Sequence, residues 1–254
     1  MGNPLHHPFL VFPIWLAILC VAAWIGRWLH KNAKTQLAGG DLDDFKFILG
    51  GTLTLLGLII GFTFSMAVNR YDERKNYEEQ EANAIGTELV RAELLPAADA
   101  AKVRTLLIRY LHERILNYGT SDHRQVQQID LQTTQLQNQL WAAVREPATA
   151  QPTPVNALVV AGMNDVLNSQ GYSQAAWWNR IPSEAWLLLT LIAIFCNVLI
   201  GYGAQGRSKL LLLILPIAIA LSVFLIADID SPFRGLVRVR PQNLESLAES
   251  LKAH

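Results

Sequence analysis

Cysteine is nearly absent from this chain, with two thiols, Cys20 and Cys196, in 254 residues. Both lie inside apolar segments, where they read as small hydrophobes rather than as a disulfide framework. Proline is missing between Pro13 and Pro96, so no ring interrupts a helix over that interval. Net charge is missing as well. The 21 basic side chains balance 21 acidic ones, which leaves no basic excess to serve nucleic acid. The six histidines show no metal-ligand spacing beyond the adjacent pair His6 and His7. No catalytic triad, P-loop or dinucleotide-binding glycine motif is present. The sequence thus predicts no catalytic residue, no metal site and no cofactor, and it does not read as an enzyme.

What it has in quantity is apolar sequence. With 51% hydrophobic and 17% charged residues and a mean hydropathy of +0.22, it is too apolar for an ordinary soluble domain. The organising stretch is residues 47–69, uncharged and long enough to cross a bilayer core as a tilted helix. It changes at Arg70 into the charged run RYDERK. Gly50, Gly57 and Gly61 weaken such a helix by about 1 kcal/mol each relative to alanine. Gly57 and Gly61 form a small-xxx-small pair that lets backbones approach closely in lipid. This segment is predicted to pack against copies of itself or its neighbours, with a charged collar at the water boundary.

Three further spans are predicted at 8–29, 185–206 and 210–227. The first has no basic start, so it reads as a transmembrane helix rather than a cleavable signal. Trp15, Trp24 and Trp28 are its lipid or interface anchors. The connector behind it carries Arg27, Lys31 and Lys34, then a break and helix cap at Gly39, Gly40, Asp41 and Asp43. Asp41, Asp43 and Asp44 place carboxylates at the mouth of the second span, as cap and solubilising charge or as an acidic ring attracting cations. A short turn with Arg207 and Lys209 forces spans three and four into a hairpin. Asn197 is expected to hydrogen-bond between helices, and Pro216 to kink the fourth span. Asp228 and Asp230 emerge on the same membrane face as Arg70 and Arg74, which predicts ion pairs between the two collars. In the tail, 228–254, Arg234, Arg238 and Arg240 form a basic strip suited to lipid headgroups.

The polar region 70–184 shows no period-two alternation and reads helical throughout. Ala82, Ile85, Leu89 and Ala92 extend the second helix toward Pro96. Val103, Leu106, Leu107, Tyr110, Leu111 and Leu116 mark another amphipathic helix, ending at Tyr118 and Gly119. Val126, Ile129, Thr133, Leu136 and Leu140 step by three and four, the spacing of a coiled-coil seam, among seven glutamines. Residues 146–155, with three prolines, read as a linker. A helix through Leu158, Val159, Met163, Val166 and Leu167 follows. Trp177 and Trp178, beside Arg180, look like an interface anchor where the chain returns to the membrane.

The predicted fold is an all-α integral membrane protein with four transmembrane helices in a 2+2 arrangement and a helical extramembrane domain between spans two and three. Both termini and that domain then share one side. Basic residues near the membrane number six on the connector side (27, 31, 34, 46, 207, 209) and seven on the other (70, 74, 75, 180, 234, 238, 240), so the positive-inside rule separates little. Because the helical region carries no cysteine and no cleavable signal precedes it, that region and the termini are expected in the cytoplasm.

Residues 61–96, GFTFSMAVNRYDERKNYEEQEANAIGTELVRAELLP, together with the DIDSPFRGL ending, resemble the bestrophin-like bacterial membrane family. The likeness covers nearly the whole chain. A more distant likeness reaches the bestrophin channels, whose second helix lines the pore before an Asn/Arg/Tyr/Asp-rich collar. Here Leu58 to Phe62 and Asn69 to Asp72 stand in comparable places. The resemblance implies a homo-oligomeric ring, pentameric in bestrophins, conducting monovalent ions such as chloride or sodium in a bacterial inner membrane. The chain departs from that pattern in lacking the paired tryptophans after the collar and the acidic calcium clasp. Two carboxylates, Asp228 and Asp230, are too few for a calcium cage, so calcium gating is not expected.

In a ring of second helices, residues four apart recur on the axis-facing stripe. Thr54, Leu58, Phe62 and Met66 form one stripe; Leu55, Ile59 and Phe62 form its neighbour. Such a narrow ring dewets when closed and conducts when slightly widened. Arg70 and Arg74 at one mouth favour anions, while Asp41, Asp43 and Asp44 at the other favour cations, leaving selectivity open. The alternative is a membrane-anchored helical scaffold or sensor without conduction. A coupled transporter is disfavoured because no ionisable residue lies inside the spans.

Overall fold

The computed structural model describes residues 8–32, 40–120, 122–204, 210–232 and 235–252. His6, His7, Lys34, Gly39, Arg207, Lys209 and Arg234 lie outside them. The described residues form eight α-helices: α1 Pro8–Asn32, α2 Gly40–Ala92, α3 Ala97–Gly119, α4 His123–Ala150, α5 Pro154–Trp178, α6 Ser183–Gly203, α7 Leu211–Asp230 and α8 Gln242–Ser250. Among them there is no strand. The chain divides into two compact units, residues 1–70 with 180–238 and residues 71–179 with 239–254. Four helices are long and apolar enough to cross a membrane, which makes this an all-α integral membrane protein.

In the first unit α1 packs along α6 and α7. Glycine sets the α1–α6 distance. A Cβ on Gly26 would lie 2.0 Å from the Val198 carbonyl oxygen, and one on Gly201 would lie 2.0 Å from that of Ala23. Backbone touches backbone at this crossing, which only a residue without a side chain allows. Trp24 and Trp28 point outward as the sequence suggests, whereas Trp15 is buried. Asn197 differs from expectation. Its amide donates to the Ala193 carbonyl at 2.8 Å on its own helix.

In the second unit, α4 packs between α3 and α5. The seam residues Ile129, Thr133, Leu136 and Leu140 are all buried there. Asp122 caps α4 by accepting from the Arg124 amide at 3.0 Å, and Thr153 caps α5 by accepting from Asn156 at 3.1 Å. The expected linker at 146–155 is mostly helix. α4 continues through Pro147 to Ala150, and only Gln151 to Thr153 break the chain. Pro147 falls in the last turn, where its carbonyl accepts from the Gln151 amide at 2.9 Å. Pro154 occupies the first turn of α5, where a missing N–H costs little. Trp177 is also not an interface anchor; it is buried edge-on to Tyr118, ring centroids 4.9 Å apart.

A buried polar network fixes the second half of α2 in this unit. Glu81 on α2 accepts from Arg114 of α3 through both carboxylate oxygens, the second contact at 3.4 Å. It also accepts from the Ser173 hydroxyl of α5 at 3.1 Å. One turn earlier, Glu78 accepts from the Asn243 amide at 2.9 Å, the Leu244 amide at 3.0 Å and the Asn243 side chain at 2.6 Å. These are the free amides at the start of α8, so a carboxylate of α2 anchors that helix by its positive end. The tail therefore holds an ordered helix where the sequence reading has only a basic strip.

Candidate pore helix and its collar

α2 is a single 53-residue helix. Its apolar stretch is the least covered of the four spans, with 11% buried inside the chain against 33–44% for the others. The buried positions are Leu56, Thr63 and Ala67, separated by seven and four residues and hence on one stripe. That stripe touches α6: the Cys196 thiol lies 3.4 Å from the Thr52 carbonyl, and the Phe45 ring lies against Tyr202 with centroids 5.9 Å apart.

The opposite stripe carries the residues singled out in the sequence. Thr54, Leu58 and Phe62 are exposed, Leu58 by 52% and Phe62 by 62%. Ile59 and Met66, nearer the flank, are half-buried. The Thr54 hydroxyl donates to the Gly50 carbonyl at 2.9 Å, which satisfies it within its own helix. Phe47, 82% exposed, and Ser65 share the stripe. The four-residue steps pass over both, but steps of seven from Thr54 and Leu58 find them. Gly50, Gly51, Gly57 and Gly61 form open ground, for a Cβ on any of them would meet nothing within 4 Å.

At one end, Asp41 and Asp43 fall in the first turn of α2, where a helix dipole favours negative charge. Asp43 pairs with Lys46 at 3.0 Å across an exposed surface, and Asp41 and Asp44 are exposed beside it. At the other end Arg70 is half-buried. Arg74 is buried, so its charge does not stand in open water.

Asp228 and Asp230 organise the segment after α7. Asp228 is buried and accepts from the Leu236 amide at 2.9 and 3.1 Å and from Val237 at 2.9 Å. The turn that delivers those amides needs Gly235, whose φ is +148°; a Cβ there would lie 2.6 Å from the Asp228 carboxylate. Asp230 accepts from the Ile181 amide at 3.2 Å, holding the start of α6 to the end of α7. Burial lowers the Arg180 pKa, and the nearby Asp230 charge opposes that shift. The sequence pairs both aspartates with the arginine collar, whereas the Asp228 carboxylate accepts from the backbone amides of Leu236 and Val237.

Residues 17–244 match the model of the bestrophin-like domain. Among solved structures, the fold is similar to that of a bacterial bestrophin homologue from Klebsiella pneumoniae. The TM-score is 0.63 at 15% identity, over 96% of this chain and 95% of that one. A point variant of that homologue gives 0.64 at 13% identity, over 100% and 97%. No curated protein matches the chain in sequence. The family match covers most of the chain, and the fold agrees with it: this chain belongs to the bestrophin-like domain family.

Proposed function

We propose that the chain is one subunit of a homo-oligomeric channel for monovalent ions, with α2 lining the pore. The carrying observation is the bare face of α2. Its apolar stretch is 11% buried in a single chain, and its exposed stripe presents Thr54, Leu58 and Phe62 in sequence. Sibling copies would cover its flanks, the open glycines Gly57 and Gly61 allowing close approach. Leu58, Ile59, Phe62 and Met66 then form a neck that binds no ion and excludes water when narrow. Five copies, the number in bestrophins, is the proposed ring. Arg70 at one mouth and Asp41, Asp43 and Asp44 at the other bias opposite ions, so chloride and sodium both belong in the assay. The proposed site is the bacterial inner membrane, with termini and helical unit cytoplasmic.

A non-conducting scaffold is the competing reading. Its main support is the coiled-coil spacing in α4, yet that seam is consumed inside the chain, with Ile129, Leu136 and Leu140 buried. Proteoliposome flux separates the two. Purified oligomer should pass chloride or sodium above empty vesicles, and Phe62→Ala should raise the basal flux several-fold by widening and wetting the neck. An intact oligomer with no flux favours the scaffold.

A further inference from the structure

The second unit holds a cavity of about 420 Å³ between α2 and the end of α5, lined by Glu73, Tyr77, Tyr172, Ala175, Trp178 and Asn179 among others. That volume falls in the ordinary range for small-ligand sites. Tyr77 of α2 and Tyr172 of α5 stack with centroids 6.0 Å apart and planes 23° from parallel. Glu73 sits one helical turn before Tyr77, on the same face. Trp178 ends α5, and its ring, like that of Tyr172, is exposed.

Three properties set this cavity apart from a packing gap. Its walls are aromatic rings, whose faces carry negative quadrupole potential. Its one formal charge is the Glu73 carboxylate, and no lysine or arginine lines it. The Glu73 carboxylate, the Tyr77 and Tyr172 hydroxyls and the Asn179 side chain engage no other described residue. The one formal charge therefore suits a positive guest, and the hydroxyls and the amide oxygen are able to accept from it.

We propose that this cavity binds a small organic ammonium ion, its methylated nitrogen against Tyr77, Tyr172 and Trp178 and its charge balanced by Glu73. A hard metal ion would need several oxygen ligands where one carboxylate stands. An anion would meet the like charge of Glu73, with no lysine or arginine in the lining to offset it. A methylated ammonium spreads its charge over apolar methyl groups, so it loses little hydration on entering an aromatic site. Both a free solute and a lipid headgroup carry this chemistry.

Calorimetric titration of the full chain in detergent tests the proposal, with choline chloride as probe and its uncharged carbon isostere, dimethylbutanol, as control. Choline should bind saturably and the isostere about tenfold or more weakly. Tyr172→Ala and Trp178→Ala remove exposed rings and leave the fold in place; each should weaken choline by about 2- to 30-fold. Glu73→Gln keeps size and removes charge, and should weaken choline but not the isostere. The proposal is overturned by absent saturation, by equal binding of the isostere, or by variants that bind like the parent. Binding seen only after the oligomer is dissociated overturns it too, because the rings would then serve a subunit contact. In nanodiscs, competition by phosphatidylcholine but not phosphatidylglycerol assigns the guest as a headgroup, and no competition by either assigns a free solute.

Discussion

Glu88 lies on the inward face of α2 with 0% of its surface exposed and neither carboxylate oxygen hydrogen-bonded among the described residues. It occupies the ground left open by Gly162 of α5, where a Cβ would stand 2.0 Å from its Oε2. Burial raises its pKa from 4.5 to about 8; Arg91 works against the shift and Asp165 adds to it. Between those values the folded chain holds a proton that the unfolded chain has released. Stability therefore falls as pH rises through that window and levels off above about 8. Glu88→Gln keeps the shape and removes the titration. Thermal melts should show little gain over the parent at about pH 5 and the largest gain at about pH 9. A gain independent of pH would assign the burial penalty to something other than charge. The inward face itself was legible, since Ala82, Ile85, Leu89 and Ala92 mark it. The carboxylates at 78, 81 and 88 were not, because a glutamate on a charged helix reads as solvated until a partner helix is laid over it.

At the scale of an element, glycine acts in opposite ways on two helices. Gly201 is a contact point, where a Cβ would run into the Ala23 carbonyl of α1, whereas Gly50 faces open space. Gly201→Ala should push α1 and α6 apart and cost about 1–3 kcal/mol, as overpacking does. Gly50→Ala should be neutral or stabilising by up to about 1 kcal/mol through helix propensity. Denaturation in detergent compares the two, and equal effects would refute the assigned crossing. Composition cannot separate these glycines, for both sit in uncharged stretches of their helices. α8 shows a different limit. Leu244, Leu247 and Leu251 carry helical spacing, but a short segment is convincing only once Glu78 is seen holding its first amides. Pro147 shows a third. Proline density reads as linker, yet a proline in the closing turn of a helix leaves that helix intact.

For the whole molecule, the open flank of α2 is the face that the proposed ring would use to pack sibling copies. Replacing Gly57 and Gly61 together by leucine adds bulk where one chain has nothing within 4 Å. The predicted outcome is a chain with unchanged helix content by circular dichroism that no longer assembles, read by native mass spectrometry. Assembly that survives the double substitution would move the subunit contact to another face.

By itself the sequence determined that this is a membrane protein of four spans with a helical region between the second and third. Uncharged length, absent strand alternation and the proline-free interval from 14 to 95 leave no other economical solution in lipid and water. It also marked α2 as exceptional and carried the family resemblance. Only the tertiary structure decided which way α2 faces, because apolar residues surround that helix and hydropathy has no direction in a membrane. Burial of Leu56, Thr63 and Ala67 supplied the direction and turned Thr54, Leu58 and Phe62 outward. The tertiary structure likewise decided the partners of Asp228, since a carboxylate beside a membrane suits an arginine or a set of backbone amides equally well. The turn at Gly235 brings the amides.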